Sequence, residues 1–426
     1  MTTIGKAGIL LLAASVFAMP AQAQLQPLEP VALPPAVEQG VDMVYIDREI
    51  GVDIRWRNTK LDELTFARYA GAPLDLVQAI NPLYTELRRG LIRYQGQWGG
   101  LPQFRLPIGR ALAQGSEGER VILLRERLGL PIGNAFDHAL ARRVTAYQEV
   151  HGLKPDGIAG DAMITSLNRG ALHYAQLLMI NMERARRLPA PGELKRHIIV
   201  DAGSARILMY ERDRLVDQMR AVVGSSKTQT PMMAAFIRYA EVNPYWNVPP
   251  DLTANMVAPA VLREGIGYLS TRKYELFANF SANAPRLDPA SVDWHAVKDG
   301  KLLLRVRRAP GPGNSMGDIK FMMPNDLGIY LHDTHDKSVF TKDARWISNG
   351  CVRVEDAQRL ARWLFGAMPQ ALAPNVEERV ALTEPVAVFA TYLTVTAKGE
   401  EVRFLADPYG RDRAVLERYF GAERLL

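Results

Sequence analysis

The sequence predicts an α+β protein of several domains, helical in its first half and β-rich from Lys195 onward. Three observations carry this. Apolar residues recur at helical spacing in segments between Leu61 and Leu188. From Lys195 the period changes to short apolar runs broken by Gly, Ser and charged turns. The chain has 426 residues, 48% of them apolar, which is globular rather than disordered and enough for two or three domains.

Residues 1–23 read as a secretory signal. Lys6 supplies the positive start, Ile9 to Met19 the apolar run, and Ala21-Gln22-Ala23 the small-residue cleavage site. That run is too short to span a bilayer. A mature chain starting after Ala23 would face an oxidising compartment. Cys351 is the only cysteine, so no internal disulfide can form and the fold must rely on its core. Net charge is +6, which suits an anionic polymer or a membrane surface but decides little. No nucleic-acid partner is expected.

Residues 24–39 are rich in Pro and polar residues and read as a linker. Residues 40–113 read as a helical scaffold, with helices over Leu61 to Tyr69 and Tyr84 to Tyr94. In residues 114–172 three helical patterns follow. Val121, Leu124 and Leu128 share one face, and Phe136, Leu140, Val144 and Tyr147 another. After the Gly-punctuated loop Gly152 to Gly160, a short helix carries Met163, Ile164 and Leu167. Residues 173–194 form a connector, with an Arg-rich amphipathic helix from Tyr174 to Leu188.

From 195 to about 400 the pattern predicts an antiparallel sheet. His197 to Asp201, Arg206 to Tyr210, Arg220 to Gly224 and Leu327 to Leu331 read as strands, and Val380 to Thr396 returns to strand pattern. Residues 251–303 break that periodicity, with a helix from Met256 to Arg263 and a polar stretch around Trp294. Glu355 to Phe365 reads as a helix closed by Gly366. Residues 401–426 form a tail without visible chemistry.

The chemistry gathers at two strings, Tyr330-Leu331-His332-Asp333-Thr334 and Ser348-Asn349-Gly350-Cys351-Val352-Arg353. A lone Cys is often a small buried hydrophobe. Here Gly350 lets backbone approach a substrate, and a strand-end imidazole at His332 can take the thiol proton and leave a thiolate at neutral pH. The pair suggests acyl transfer through a thioester. Backbone N–H groups at Gly350 and Cys351, with the Tyr330 hydroxyl, are candidate oxyanion donors. Arg353 is a candidate carboxylate holder or a surface ion pair with Glu355. His332, Asp333, His335 and Asp336 are metal-ligand types, but their spacing matches no common zinc motif, so no metal or other cofactor is expected. These residues alone do not separate a cysteine peptidase from a transpeptidase, since the two differ in whether water or an amine takes the acyl group.

The Ser-Asn-Gly-Cys-Val-Arg string with His332 upstream resembles the signature of the L,D-transpeptidases, whose catalytic domain is of the YkuD type. The longer strings, with Trp246-Asn247-Val248-Pro249-Pro250 and Thr228-Gln229-Thr230-Pro231, are similar to its large periplasmic YcbB-like branch. The family often has His or Ser at the place of Asn349 and Pro at that of His335. The three helical patterns with Leu153-Lys154-Pro155-Asp156-Gly157 resemble a peptidoglycan-binding type 1 domain, whose fold can persist without glycan binding.

The resemblance implies a β-rich catalytic domain over 195–400 in which residues 251–303 form a movable lid. It implies Cys351 as nucleophile and His332 as general base and acid. It puts Trp246 at the cleft, although a core plug is the usual fate of a Trp, and makes Arg353, Ser348, Asn349 and Asp333 candidate substrate contacts. Partners would be peptidoglycan stem peptides, a tetrapeptide donor and a diaminopimelate-containing acceptor, with carbapenems as acylating inhibitors. The product would be a 3→3 cross-link made in the periplasm. A periplasmic cysteine carboxypeptidase and an inert wall-binding scaffold remain as alternatives.

Overall fold

A computed structural model describes residues 45–46 and 81–421, apart from 326, 374 and 400. The expected signal, the linker and the helix over Leu61 to Tyr69 lie outside the described residues.

Among the described residues, four α-helices precede the main run of strands. Pro82–Tyr94 starts at Asn81, whose side chain accepts from the Leu83 N–H, and buries Tyr84, Leu87 and Tyr94. Glu119–Arg127 and His138–Val150 follow, the second capped by Asp137. Asp161–Arg186 joins end to end what the sequence reads as a short helix and a connector. The two meet at a break, where Gly170 takes φ 81° and ψ 161°.

Most strands then build one ten-stranded sheet. In chain order the strands are β1 (Tyr45–Ile46), β2 (Arg196–Asp201), β3 (Arg206–Glu211), β4 (Arg214–Gly224) and β5 (Met233–Val242). Next come β6 (Trp246–Val248), β7 (Tyr274–Phe277), β8 (Arg305–Arg308), β9 (Ile319–Met322), β10 (Leu331–His332), β11 (Trp346–Ser348) and β12 (Val352–Val354). The last are β13 (Glu378–Thr391), β14 (Val395–Lys398) and β15 (Glu401–Phe404). The sheet runs β1-β5-β13-β2-β3-β4-β12-β10-β9, with β11 beside β4, and β9 also pairs with β5, so the sheet closes on itself. It is mixed rather than antiparallel. The β2–β13, β10–β12 and β4–β11 pairs are parallel, because period-2 patterning marks strands without giving their direction.

The sheet is buried on both sides, which explains the nearly continuous apolar runs. Ile198, Val200, Ile207, Met209, Phe321, Leu331, Val352 and Val354 face one core with Leu360 and Leu364 of helix Ala357–Phe365. That helix is capped by Asp356 and ends at a left-handed Gly366. Ile199, Tyr210 and Phe389 join the core of the preceding helices.

The expected strand from Leu327 to Leu331 shrinks to Leu331–His332. The Asn325 side chain accepts from the Ile329 N–H and donates to the Ile329 carbonyl, taking the bonds a partner strand would make. The irregular segment 251–303 lies in an insertion over residues 243–317 with a sheet of its own, β6-β8-β7, and helix Ala258–Glu264. Trp246, Val257, Val261, Leu269, Leu276, Trp294 and Val306 fill a separate core there. The Asn314 amide donates to the Pro244 carbonyl across its neck.

The C-terminal part is integral rather than a tail. Asp412 makes a buried 2.6 Å ion pair with Arg184, and the Tyr409 hydroxyl donates to the Gly224 carbonyl at 2.7 Å.

Candidate active site

Cys351 sits in the loop between β11 and β12, half-buried. Gly350 before it takes φ 109°, a conformation that disfavours any side chain, and a Cβ there would lie 3.2 Å from Ile329 Cδ1. The loop is braced from beneath. Thr228 Oγ1 donates to the Ser348 carbonyl at 2.9 Å, and Thr230 Oγ1 donates to the Gly350 carbonyl at 2.7 Å. Thr230 in turn accepts from the Gly224 N–H. The Thr-Gln-Thr-Pro string, noted in the sequence without a role, thus shapes the nucleophile loop.

His332 ends β10, and register places it in a row of side chains crossing the sheet. Arg379 on β13 pairs with Glu241 on β5, Glu241 with Lys320 on β9, Lys320 with His332, His332 with Arg353 on β12, and Arg353 with Val222 on β4. The alternate residues Val242, Phe321, Leu331 and Val352 face the core, so the row occupies the opposite face. Lys320 Nζ donates to Glu241 at 2.8 Å, and Arg379 lies 3.4 Å from the same carboxylate.

The imidazole's tautomer follows from its partner. His332 Nδ1 lies 2.6 Å from the Asp333 carbonyl, which can only accept, so Nδ1 carries the proton and Nε2 keeps its lone pair. Burial, then Arg353 and Lys320 on either side, push its pKa down to about 3. The Cys351 thiol is pushed up by burial, against the pull of the Tyr330 N–H and hydroxyl, Lys320 and Arg353. The thiol contacts the Gly328 carbonyl at 3.5 Å, and no hydrogen bond joins it to His332 among the described residues. At neutral pH the resting pair is therefore thiol and neutral imidazole. This corrects the expectation of a preformed thiolate: sequence spacing brings the groups to one face but does not set their burial.

Tyr330 faces the sulfur. Its ring lies 5.6 Å from that of His332, its hydroxyl contacts Met316 Sδ, and it packs against the insertion core. Arg353 makes no ion pair among the described residues, and its Nε is buried without a hydrogen-bond partner. Glu355, the expected partner, is bound to Arg220 instead.

Four further candidates have other roles. The Gly350 N–H donates to Ser348 Oγ at 3.2 Å, so it is not a free oxyanion donor. Ser348 itself is buried and donates to the Cys351 carbonyl at 2.6 Å, which makes it a brace rather than a substrate contact. Asp333 bonds Lys337 through one oxygen and the Asp318 N–H through the other, leaving little for a substrate. Trp246 is a core residue of the insertion. Asn349 stands exposed beside the nucleophile. His335 lies 3.7 Å from Asp318 on the wall of a separate cleft of about 870 Å³, whose lining does not include Cys351. Lys320 and Glu241 were not singled out in the sequence, because their partners in the row are scattered along the chain.

A thiol, an uncharged imidazole with a lone pair at Nε2, a phenol and a guanidinium with no ion pair among the described residues, all on one face, can form and break an acyl–sulfur bond. Residues 195–374 match the model of the YkuD family, described as an L,D-transpeptidase catalytic domain. A curated protein of Haemophilus influenzae, named "Putative L,D-transpeptidase", is 31% identical over 250 residues, covering 57% of this chain and 49% of the relative. The chain thus spans about half the length of that relative. Among solved structures, an L,D-transpeptidase from Xylanimonas cellulosilytica is 15% identical, covering 67% of this chain and 98% of its own, with a TM-score of 0.19. The catalytic domain of an E. faecium L,D-transpeptidase is 13% identical, covering 47% and 99%, with a TM-score of 0.20. At these scores the assignment rests on the family match.

Proposed function

We infer, from the premise that this chain carries a YkuD-family L,D-transpeptidase catalytic domain at residues 195–374, that it forms 3→3 cross-links between peptidoglycan stem peptides. The observation that carries this reading is Arg353, a cation that makes no direct ion pair among the described residues, in register with His332 and beside Cys351. A stem-peptide carboxylate supplies a direct ion-pair partner.

Cys351 Sγ attacks the carbonyl carbon of the donor's third residue, and the thiol proton passes to His332 Nε2. The resulting oxyanion accepts from the Tyr330 hydroxyl. The C–N bond to D-alanine then breaks, and His332 returns the proton to the leaving amine. An imidazolium between Lys320 and Arg353 is a strong acid, which favours that return. The side-chain amine of an acceptor diaminopimelate next attacks the thioester, its proton moves to His332, and the sulfur leaves and takes that proton back, restoring the resting thiol. The insertion, touching the site through Tyr330, acts as the lid that keeps water from the thioester until the amine arrives. Residues 114–172 hold the wall polymer, the reaction takes place in the periplasm, and carbapenems acylate Cys351.

Mass spectrometry after incubation with disaccharide-tetrapeptide tests the reading. The expected products are an acyl-enzyme on Cys351 heavier by the donor less D-alanine, then a tetrapeptide–tripeptide dimer. Tripeptide monomer alone, at every acceptor concentration, would replace transfer with hydrolysis.

A further inference from the structure

The row across the sheet contains a cation, Lys320, whose effect on the sulfur the reaction above does not use. Lys320 is buried, as is its partner Glu241. A buried ion pair is a poor device for stability, because the cost of removing two charges from water about equals their attraction. Its position is more informative. Lys320 is the cross-strand neighbour of His332, its ammonium lies 5.6 Å from the centre of the Tyr330 ring, and its charge reaches the Cys351 sulfur. Glu241 fixes that ammonium at 2.8 Å, and Arg379 closes the other side of the carboxylate. The cation is therefore held in one place before any substrate arrives, in surroundings too dry for water to screen it.

We propose that Lys320 is a positioning residue of the reaction, its ammonium held by Glu241 beside the sulfur on which negative charge develops and the phenol that holds the oxyanion. The proposal rests on the thioester reading given above. In attack, charge appears on Cys351 Sγ and then on the oxyanion bound by the Tyr330 hydroxyl. A fixed cation behind both stabilises them without moving. The charged and titratable groups facing the sulfur are Lys320 from β9, Arg353 from β12, and Tyr330 and His332 from the β10 segment. Glu241 from β5, Arg379 from β13 and Glu377 just before that strand stand behind Lys320, and Asp336 acts on Arg353. The insertion contributes Met316, which is uncharged. Arg353 is open to a substrate carboxylate that would cancel it. Lys320 already has its carboxylate, so its field at the sulfur is the same with and without substrate.

Alkylation of Cys351 by iodoacetamide, a small neutral reagent, tests this in the full chain. It needs neither stem peptide nor acceptor, so it reads Lys320 even if no cross-linked product forms. Lys320→Met leaves Glu241 paired with Arg379, which favours a folded variant, checked by near-UV circular dichroism. The expected result is a midpoint moved to higher pH, with alkylation about tenfold slower below it, since only the thiolate reacts. Lys320→Arg should restore the wild-type profile. If Lys320→Met does not fold, Glu241→Gln serves: removing the carboxylate should move the midpoint to lower pH. A folded Lys320→Met with the wild-type profile, or a folded Glu241→Gln with an unchanged or raised midpoint, overturns the proposal.

Discussion

At the residue scale, His332 and His197 show how burial sets what an imidazole does. His332 is pushed down to about 3 by burial and two cations, and is not bonded to the thiol at rest. Its absence should therefore remove proton transfer without changing thiol acidity. His332→Ala is expected to slow acylation by stem peptide by about 10²–10⁴-fold, while the pH midpoint of Cys351 alkylation stays near that of the wild type. A large midpoint shift would instead mean a thiolate–imidazolium pair in the resting enzyme. His197 has no such task. It is buried against Tyr210 in a stacked pair 4.8 Å apart, and neither ring nitrogen has a hydrogen-bond partner among the described residues. Burial pushes its pKa down to about 4. The unfolded chain, with an ordinary imidazole near 6.5, thus binds a proton that the folded chain refuses between those two values. Stability is lost as pH falls through that window, by up to about 1.4 kcal/mol per pH unit. His197→Phe keeps the ring and removes both costs. Its thermal midpoint should exceed the wild type's at pH 7, and the difference should grow toward pH 4.

At the scale of elements, the insertion over residues 243–317 behaves as a unit with its own core. Its elements pack chiefly on one another, and it meets the catalytic face through Tyr330. Trp246 lies in that core. Trp246→Ala should cost the insertion about 3–5 kcal/mol. Hydrogen exchange should then quicken at the amides of β6, β7 and β8 while those of β2 and β13 keep their protection. Equal acceleration in both regions would mean that the insertion is not a separate cooperative unit. The same elements show what was legible beforehand. Short runs such as His197 to Asp201 mark strands because their composition is local, and the helix ending at Gly366 is marked by its cap. Cys351 and His332 stand out through a motif that is local as well. The row from Arg379 to Val222 was not legible, since its members come from six strands and only tertiary register aligns them. Trp246 could be read either way from sequence, because a Trp beside a Pro-rich turn suits a cleft and a core equally. The parallel pairs escaped for the same reason as the row.

At the scale of the whole molecule, the catalytic domain does not end where the family match ends. The match stops at residue 374, yet β13, over Glu378–Thr391, lies between β5 and β2 inside the closed sheet. Beyond it, the Tyr409 hydroxyl and the Arg411 side chain reach the Gly224 and Thr230 backbone beneath the nucleophile loop. A chain ending at residue 374 should therefore lack a cooperative thermal transition, and its Cys351 should react with iodoacetamide like an unfolded thiol. A chain ending at residue 421 should keep both the transition and the wild-type alkylation profile.

Closure of the sheet by β13 also sets a timetable for synthesis. The Leu393 N–H bonds the Asp201 carboxylate, 192 positions earlier in the chain. A growing polypeptide that already contains Cys351 and His332 still has an open sheet edge along β2, and Gly224 lacks its Tyr409 brace. The nucleophile thus exists as a residue well before it exists as a reagent. The last strand and the helix Arg411–Phe420 must leave the ribosome first, and a long-range parallel pairing must then form, which is among the slower steps a chain can make. A thiol assembled this late is kept from reacting with whatever the nascent chain meets before it has folded.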